Sequence, residues 1–393
     1  MKELYNSIKG VFKSGGYSFL LLLVVLFFSA DSVSIYFLIL FGLVQLPLLF
    51  ARDGSRHIIS LLVFSFSYAF IWYVSGTISS IAILISICLC PSIFFLYGSK
   101  IGKNFDYSKE LPIALLLLIT IMLFNVYNAT IRNVIEVGIV DPTRQLVFEG
   151  DESSSNATVW GLLVSPALGL LTVPLFVSKP IRRIWPVLYT IVSILAILTV
   201  VHVINRGGLI IATIAVFVSL FVRYKEKKFL LILAVVISVV AIVSIIPTSG
   251  DVFDAYNARS SAGDEGERIV RWQYGLENLF EYPFGWNDDS QSHQYFMHNL
   301  WLDVARVSGI IPFLALVVAT IRTLKNAYKL TKLSHSVTTI IIINIFITTF
   351  LSCFMEPALE AKQVAVYFFI FIWGIMDGVL QNKSFYDECN STK

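Results

Sequence analysis

RGGLIIATIAVFVSLFVRYKEKKFLLILAVVISVVAIVSII, residues 206–246, decides the fold. Two apolar runs, beginning at Gly207 and Phe229, flank a short turn that holds Arg223, Lys225, Lys227 and Lys228. Each run is close to the roughly 20 residues a helix needs to cross a hydrocarbon layer about 30 Å thick. A basic turn between two such runs is the signature of a cytoplasmic loop. The pattern repeats outward in both directions, with further runs beginning near Tyr17, Val33, Ile58, Thr77, Leu111, Ala157, Ile184, Gly309, Val337 and Val364. The expectation is an all-α, polytopic membrane protein of about twelve transmembrane helices.

Composition agrees. Of 393 residues 56% are apolar and only 14% charged, whereas a soluble globular chain needs about a quarter of its residues charged to coat its surface. A soluble enzyme or a nucleic-acid binder is excluded. Lys2, Lys9 and Lys13 ahead of the first run resemble the start of a signal peptide, but Phe28 stands at the third position before Ala30, where a cleavage site wants a small residue. The first run is therefore expected to remain as a span. Cys88, Cys90 and Cys353 lie in apolar runs and Cys389 near the C-terminal end, so no outer loop holds a cysteine pair.

Orientation follows from alternate loops. Basic clusters at Lys2–Lys13, Arg52–Arg56, Lys100–Lys109, Lys179–Arg183, Arg223–Lys228, Arg322–Lys332 and Lys383–Lys393 hold most of the 29 Lys and Arg. These loops and both termini are assigned to the cytoplasm. The opposite face keeps Arg132, Arg144, Arg206, Arg259, Arg268, Arg271, Arg306 and Lys362. Its two longer loops, 131–156 and 248–308, are where function is expected, because the cytoplasmic turns are all short.

In the second outer loop, ERIVRWQYGLENLFEYPFGW reads as an amphipathic helix on the membrane surface, with Ile269, Trp272, Leu276, Leu279 and Phe280 as its apolar stripe and a stop at Pro283. Arg268 and Arg271, three apart, share one face beside that stripe: they either snorkel or meet an anionic lipid headgroup. The loop closes with SHQYFMHNLWLDVARVSGIIPF, in which His298 is either a satisfied surface imidazole or a proton carrier. Asp303 and Arg306 have the spacing of a surface ion pair. Arg206 ends an apolar run at the outer face and is followed by Gly207 and Gly208, small residues that would let a substrate approach. Arginine suits an anion there, since its planar fork grips phosphate oxygens in pairs.

No GxxxxGK[ST], HExxH or CxxC pattern occurs, so ATP hydrolysis and zinc proteolysis have no support. Asp288 and Asp289 read as a polar turn after GWN rather than a metal pair. No metal and no cofactor are expected.

The order of these pieces carries a family resemblance. NRGG opening a span, the turn RYKEKK, the segment GERIVRWQYGLENLFEYPFGW and finally HNLWLDVARVSG, with nine residues between Asn299 and Gly309, resemble the shared domain of bacterial O-antigen polymerases and O-antigen ligases. Pro312 departs from the ligase pattern. The resemblance divides the chain into spans 1–204, a polymerase/ligase-like domain 205–320 and spans 321–393, on a fold similar to GT-C-type glycosyltransferases. It implies an inner-membrane enzyme, its site facing the periplasm, that transfers an oligosaccharide from an undecaprenyl diphosphate carrier. The expected activity is polymerisation of lipid-linked repeat units, with ligation to lipid A core as the alternative. By the same resemblance Arg206, Arg268 and Arg271 take the diphosphate, and His298 assists proton transfer at the acceptor. Arg132 and Arg144 guide the donor, and Trp272, Asn299 and Gly309 mark the motif. The partners implied are the lipid-linked oligosaccharide and the bilayer, with a chain-length regulator and the pathway's flippase as candidates. A secondary transporter is the reading from another class; the near absence of ionisable residues at span centres argues against it.

Overall fold

A computed structural model describes residues 2–29, 33–50, 56–76, 80–137, 145–148, 151–173, 184–202, 206–223, 264–286 and 296–391. The helices are α1 (Lys2–Phe27), α2 (Ser34–Gln45), α3 (Arg56–Val74), α4 (Ile81–Asn104), α5 (Glu110–Val137), α6 (Ala157–Leu168), α7 (Ile184–His202) and α8 (Arg206–Arg223), followed by α9 (Asp264–Glu281), α10 (Leu300–Ser308), α11 (Ile310–Leu333), α12 (Val337–Met355), α13 (Ala358–Ala361), α14 (Gln363–Val379) and α15 (Lys383–Ser391). The chain is a multi-pass membrane protein. Among the described residues five helices are long and apolar enough to cross a bilayer: Tyr5–Phe27, Ile81–Asn104, Glu110–Asn128, Ile310–Leu333 and Val337–Met355. A sixth is added if Gln363–Val379 and Lys383–Asn390, bent by 61°, count as one. The runs expected from Val33, Ile58, Ile184 and Gly207 form shorter apolar helices. The run from Ala157 gives the 12-residue α6, and the run from Phe229 lies outside the described residues.

The segment 131–156, expected as an outer loop, differs from its expected form. α5 continues to Val137, and Gln145–Phe148 (β1) pairs antiparallel with Asp151–Asn156 (β2), with a register shift between Leu146 and Phe148. The Ser-rich stretch within residues 151–156 is thus a strand leading straight into α6. Serine has little strand preference of its own; the partner strand supplies the hydrogen bonds that hold it extended.

The chain divides into two compact units, one of residues 1–121, 268–334 and 353–393, the other of 122–267 and 335–352. In the first, α4 and α14 meet backbone to backbone. Gly98 and Gly102 face Gly374 and Gly378, and a methyl at any of the four would overlap a carbonyl oxygen of the opposite helix. In lipid such close approach replaces the missing hydrophobic drive with dispersion contact. Next to this seam, Asn382 Nδ2 donates to the carbonyls of Gly102 (2.8 Å) and Phe105 (2.7 Å), and Tyr107 N–H donates to Ser384 Oγ. Two segments assigned to the cytoplasm by their charge therefore touch.

In the second unit Thr172, Ser219 of α8 and Asn344 of α12 form a buried cluster. Thr172 donates to Ser219, and Asn344 Nδ2 donates to both hydroxyls. Amide and hydroxyl partners at membrane depth bind helices together.

Candidate functional site

The site is built in the first unit around α9, α10 and the turn after α12. Pro283 ends α9 because it cannot continue a helix, and Tyr282–Gly285 close a turn through Gly285 N–H to the Tyr282 carbonyl. That turn locks onto the far end of α10. Trp286 N–H donates to the Arg306 carbonyl (2.9 Å) and Ile310 N–H to the Pro283 carbonyl (3.0 Å). Gly309, at φ 76°, is the residue that permits this: a side chain would strain the backbone and overlap the Pro283 carbonyl. Pro312 falls in the first turn of α11, where no intrahelical partner awaits its missing N–H.

Trp272 fixes the near end. Its indole N–H donates to the Met297 carbonyl (2.8 Å) and its ring meets Phe354 edge-on at 5.1 Å. The apolar stripe expected along α9 is split by this contact. Leu279 is buried and Trp272 half-buried, whereas Ile269, Leu276 and Phe280 are exposed. Arg268 lies one turn before Trp272, so it shares the inward side rather than merely flanking an outward stripe.

His298 sits where these pieces converge, at φ 49°. Its Nδ1 is 3.3 Å from Glu356 Oε2, and the other oxygen of Glu356 is 3.9 Å from Arg268 Nη2. His298 and Arg268 side chains keep 22% and 23% of their surface exposed, enough for a ligand to reach them. The tautomer that satisfies Glu356 carries its proton on Nδ1 and leaves the Nε2 lone pair to accept another. Asn299 caps α10: its Oδ1 accepts from Trp301 N–H (3.1 Å) and Leu302 N–H (3.2 Å), and its Nδ2 donates to the Phe354 carbonyl.

Asp303 and Arg306 are not the surface pair that their spacing suggested. They are 1% and 6% exposed. α10 is too short to span and packs against both α3 and α11, so its charged side is enclosed. Arg306 Nη2 donates to both oxygens of Glu360 (2.5 and 2.6 Å), its Nε is 3.7 Å from Asp303 Oδ1, and its guanidinium lies 5.5 Å from the Phe296 ring centre. Asp303 in turn accepts from Met297 N–H (2.8 Å) and Asn299 N–H (3.2 Å). Burial pushes the Glu360 carboxyl up to about 7, although the Arg306 guanidinium pulls against it. Burial also raises Asp303, opposed by Arg306 and the two backbone donors. For Arg306 burial works downward, but the two carboxylates outweigh it and the net shift is up.

The sequence-expected residues fall in two groups. Arg268, Trp272, His298, Asn299 and Gly309 come together in the first unit, with Arg271 half-buried on the same helix. Arg206 opens α8 in the second unit. Gly208, expected to admit substrate, instead faces Val200 of α7, where it lets two helices pack. Arg132 lies on α5 rather than in a loop. Arg144, Asp288 and Asp289 lie outside the described residues. Among the described residues no three His, Cys, Asp or Glu side chains converge as a metal set. Sequence reasoning missed Glu356 and Glu360. Their signal was present in FMEPALEAK, residues 354–362, where two carboxylates accompany Lys362 just after a span.

Comparison with known proteins now bears on this geometry. A search of curated proteins gives no match. Residues 191–317 match the family described as O-antigen ligase, a segment that holds Arg206, Arg268, Arg271, Trp272, His298, Asn299 and Gly309 and stops short of Glu356. That segment, about a third of the chain, is what is similar to the O-antigen ligase family.

Proposed function

We propose that the protein is a polysaccharide polymerase that joins undecaprenyl-diphosphate-linked oligosaccharide units at the outer face of the bacterial inner membrane. The observation that carries this reading is the Arg268–Glu356–His298 arrangement, a fixed cation beside an oriented imidazole. No ATP is available on that face, so the sugar–diphosphate bond supplies the energy. The enzyme has to steady a departing diphosphate and take a proton from a hydroxyl. In this mechanism the acceptor oxygen bonds to the anomeric carbon, and its proton passes to His298 Nε2. The anomeric carbon–oxygen bond breaks, and its electron pair leaves on the diphosphate, which Arg268 receives together with Arg271 of the same helix. The exposed side of α9, with Ile269, Leu276 and Phe280, rests in the lipid and sets these groups at headgroup depth.

Ligation is the second reading, favoured by the description of the matched family. It differs only in the acceptor. Polymerisation is preferred because HNLWLDVARVSGIIP resembles polymerases and Pro312 breaks the ligase pattern. The banding of surface polysaccharide from a strain lacking the gene separates the two. Core carrying a single repeat unit identifies a polymerase. Bare core, with long chains accumulating on the lipid carrier, identifies a ligase and refutes the preferred reading.

A further inference from the structure

The backbone at His298 needs explaining. A non-glycine residue at φ 49° lies in the left-handed region, a strained conformation that persists only where surrounding contacts impose it. Here the contacts come from one side chain. The peptide N–H groups on either side of His298, those of Met297 and Asn299, both donate to the Asp303 carboxylate, one to each oxygen. A carboxylate holds two donors best when both oxygens are free to accept, as they are in the ionised form. In a 1% exposed position an ionised carboxylate requires a counter-charge. Arg306 provides it at 3.7 Å, and Arg306 is itself held by both oxygens of Glu360.

Glu360 closes a ring. It lies four residues after Glu356, and Lys362 N–H donates to the Ala358 carbonyl between them, folding the segment into a single short turn, α13. The turn that gives Glu356 to the imidazole is thus fastened through Glu360 to the same guanidinium that holds Asp303. His298 is fixed twice, through its backbone by Asp303 and through its ring by Glu356, and both fixings end on the Arg306–Glu360 pair. Asp303 and Arg306 are buried beneath the imidazole's loop, which separates their task from that of the half-exposed Arg268.

We propose that Asp303, Arg306 and Glu360 are positioning residues that hold His298 in its working conformation. This rests on the reading of His298 as the acceptor of the hydroxyl proton. They do not touch the reacting atoms, so their loss lowers turnover without weakening donor binding, and it has no effect once the imidazole is gone.

The test uses the full-length protein in nanodiscs with a purified lipid-linked repeat unit, at enzyme concentrations high enough to read the residual rate of His298→Ala. Asp303→Asn is expected to lower kcat about 10-fold or more, with KM for the lipid-linked donor within about twofold of wild type. In the His298→Ala background the same substitution should remove less than about a further twofold, since residues acting as a unit are not additive. Glu360→Gln, which keeps an oxygen for Arg306, serves as the second variant if Asp303→Asn does not fold. It should show the same kcat-only loss and the same silence in the His298→Ala background. An equal loss from either substitution with and without His298, or a wild-type rate in both single variants, overturns the proposal while leaving the His298 reading intact. A wild-type rate in His298→Ala refutes that reading and the proposal with it.

Discussion

Glu356 and His298 are 58 residues apart in the chain, yet Oε2 of one lies 3.3 Å from Nδ1 of the other. The contact joins the C-terminal end of α12 to the residue before the cap of α10, and it turns a half-exposed histidine into an oriented one. Glu356→Ala is expected to lower the transfer rate about 10- to 100-fold, part of the contribution that general-base catalysis makes. Thermal unfolding should change little, because the imidazole loop is still held by Asp303. A wild-type rate in Glu356→Ala would show that orientation of the ring is irrelevant to transfer.

Arg268 is assigned the departing diphosphate. Its replacement by Ala should cost on the order of 100-fold in rate, the usual loss when one charge-stabilising donor is removed from developing negative charge. Arg268→Lys should recover only part of it, since a point charge cannot grip two oxygens at once. Glu277→Gln, exposed on the same helix, should leave kcat nearly unchanged. Full activity in Arg268→Lys would reduce Arg268 to a positive charge near the membrane.

Glu360 makes stability depend on pH. Its carboxyl titrates at about 7 in the folded protein against an ordinary 4.5, so between those values the folded state binds the extra proton. The resulting stabilisation is complete below about pH 4.5 and is lost as pH rises through about 7. Glu360→Gln, which cannot ionise, should show a flatter decline in unfolding temperature from pH 5 to pH 8. Parallel profiles for the two proteins would mean that another group titrates.

The seam between α4 and α14 admits no side chain at Gly98, Gly102, Gly374 or Gly378. Gly374→Ala should destabilise the protein by about 1–3 kcal/mol, the usual cost of overpacking, because only backbone is there to move. Unfolding in detergent would register this as a lower transition temperature. An unchanged transition would mean that the two helices separate without cost.

Much of the architecture was legible because a bilayer imposes one rule on every span: about 20 apolar residues with polar ends. The Lys and Arg alternation is written in the same register, and two of the segments that it groups, near Gly102 and Asn382, do touch. The motif from Trp272 to Gly309 was legible as an order of residue types. Its meaning was not, because Gly309 serves a carbonyl of Pro283 that only the fold brings near. Spacing misread Asp303 and Arg306 for a related reason. An i,i+3 pair looks the same on an open surface and in a buried one, and only the packing of α10 against α3 and α11 distinguishes them. Glu356 and Glu360 were hidden because their partners lie more than 50 residues away.

The most direct test of the account is the rate at which the purified protein joins lipid-linked repeat units, compared for wild type and His298→Ala at equal donor saturation. The account predicts a fall of about 100-fold or more, with the variant still folded and still binding donor. A wild-type rate without the imidazole would contradict it.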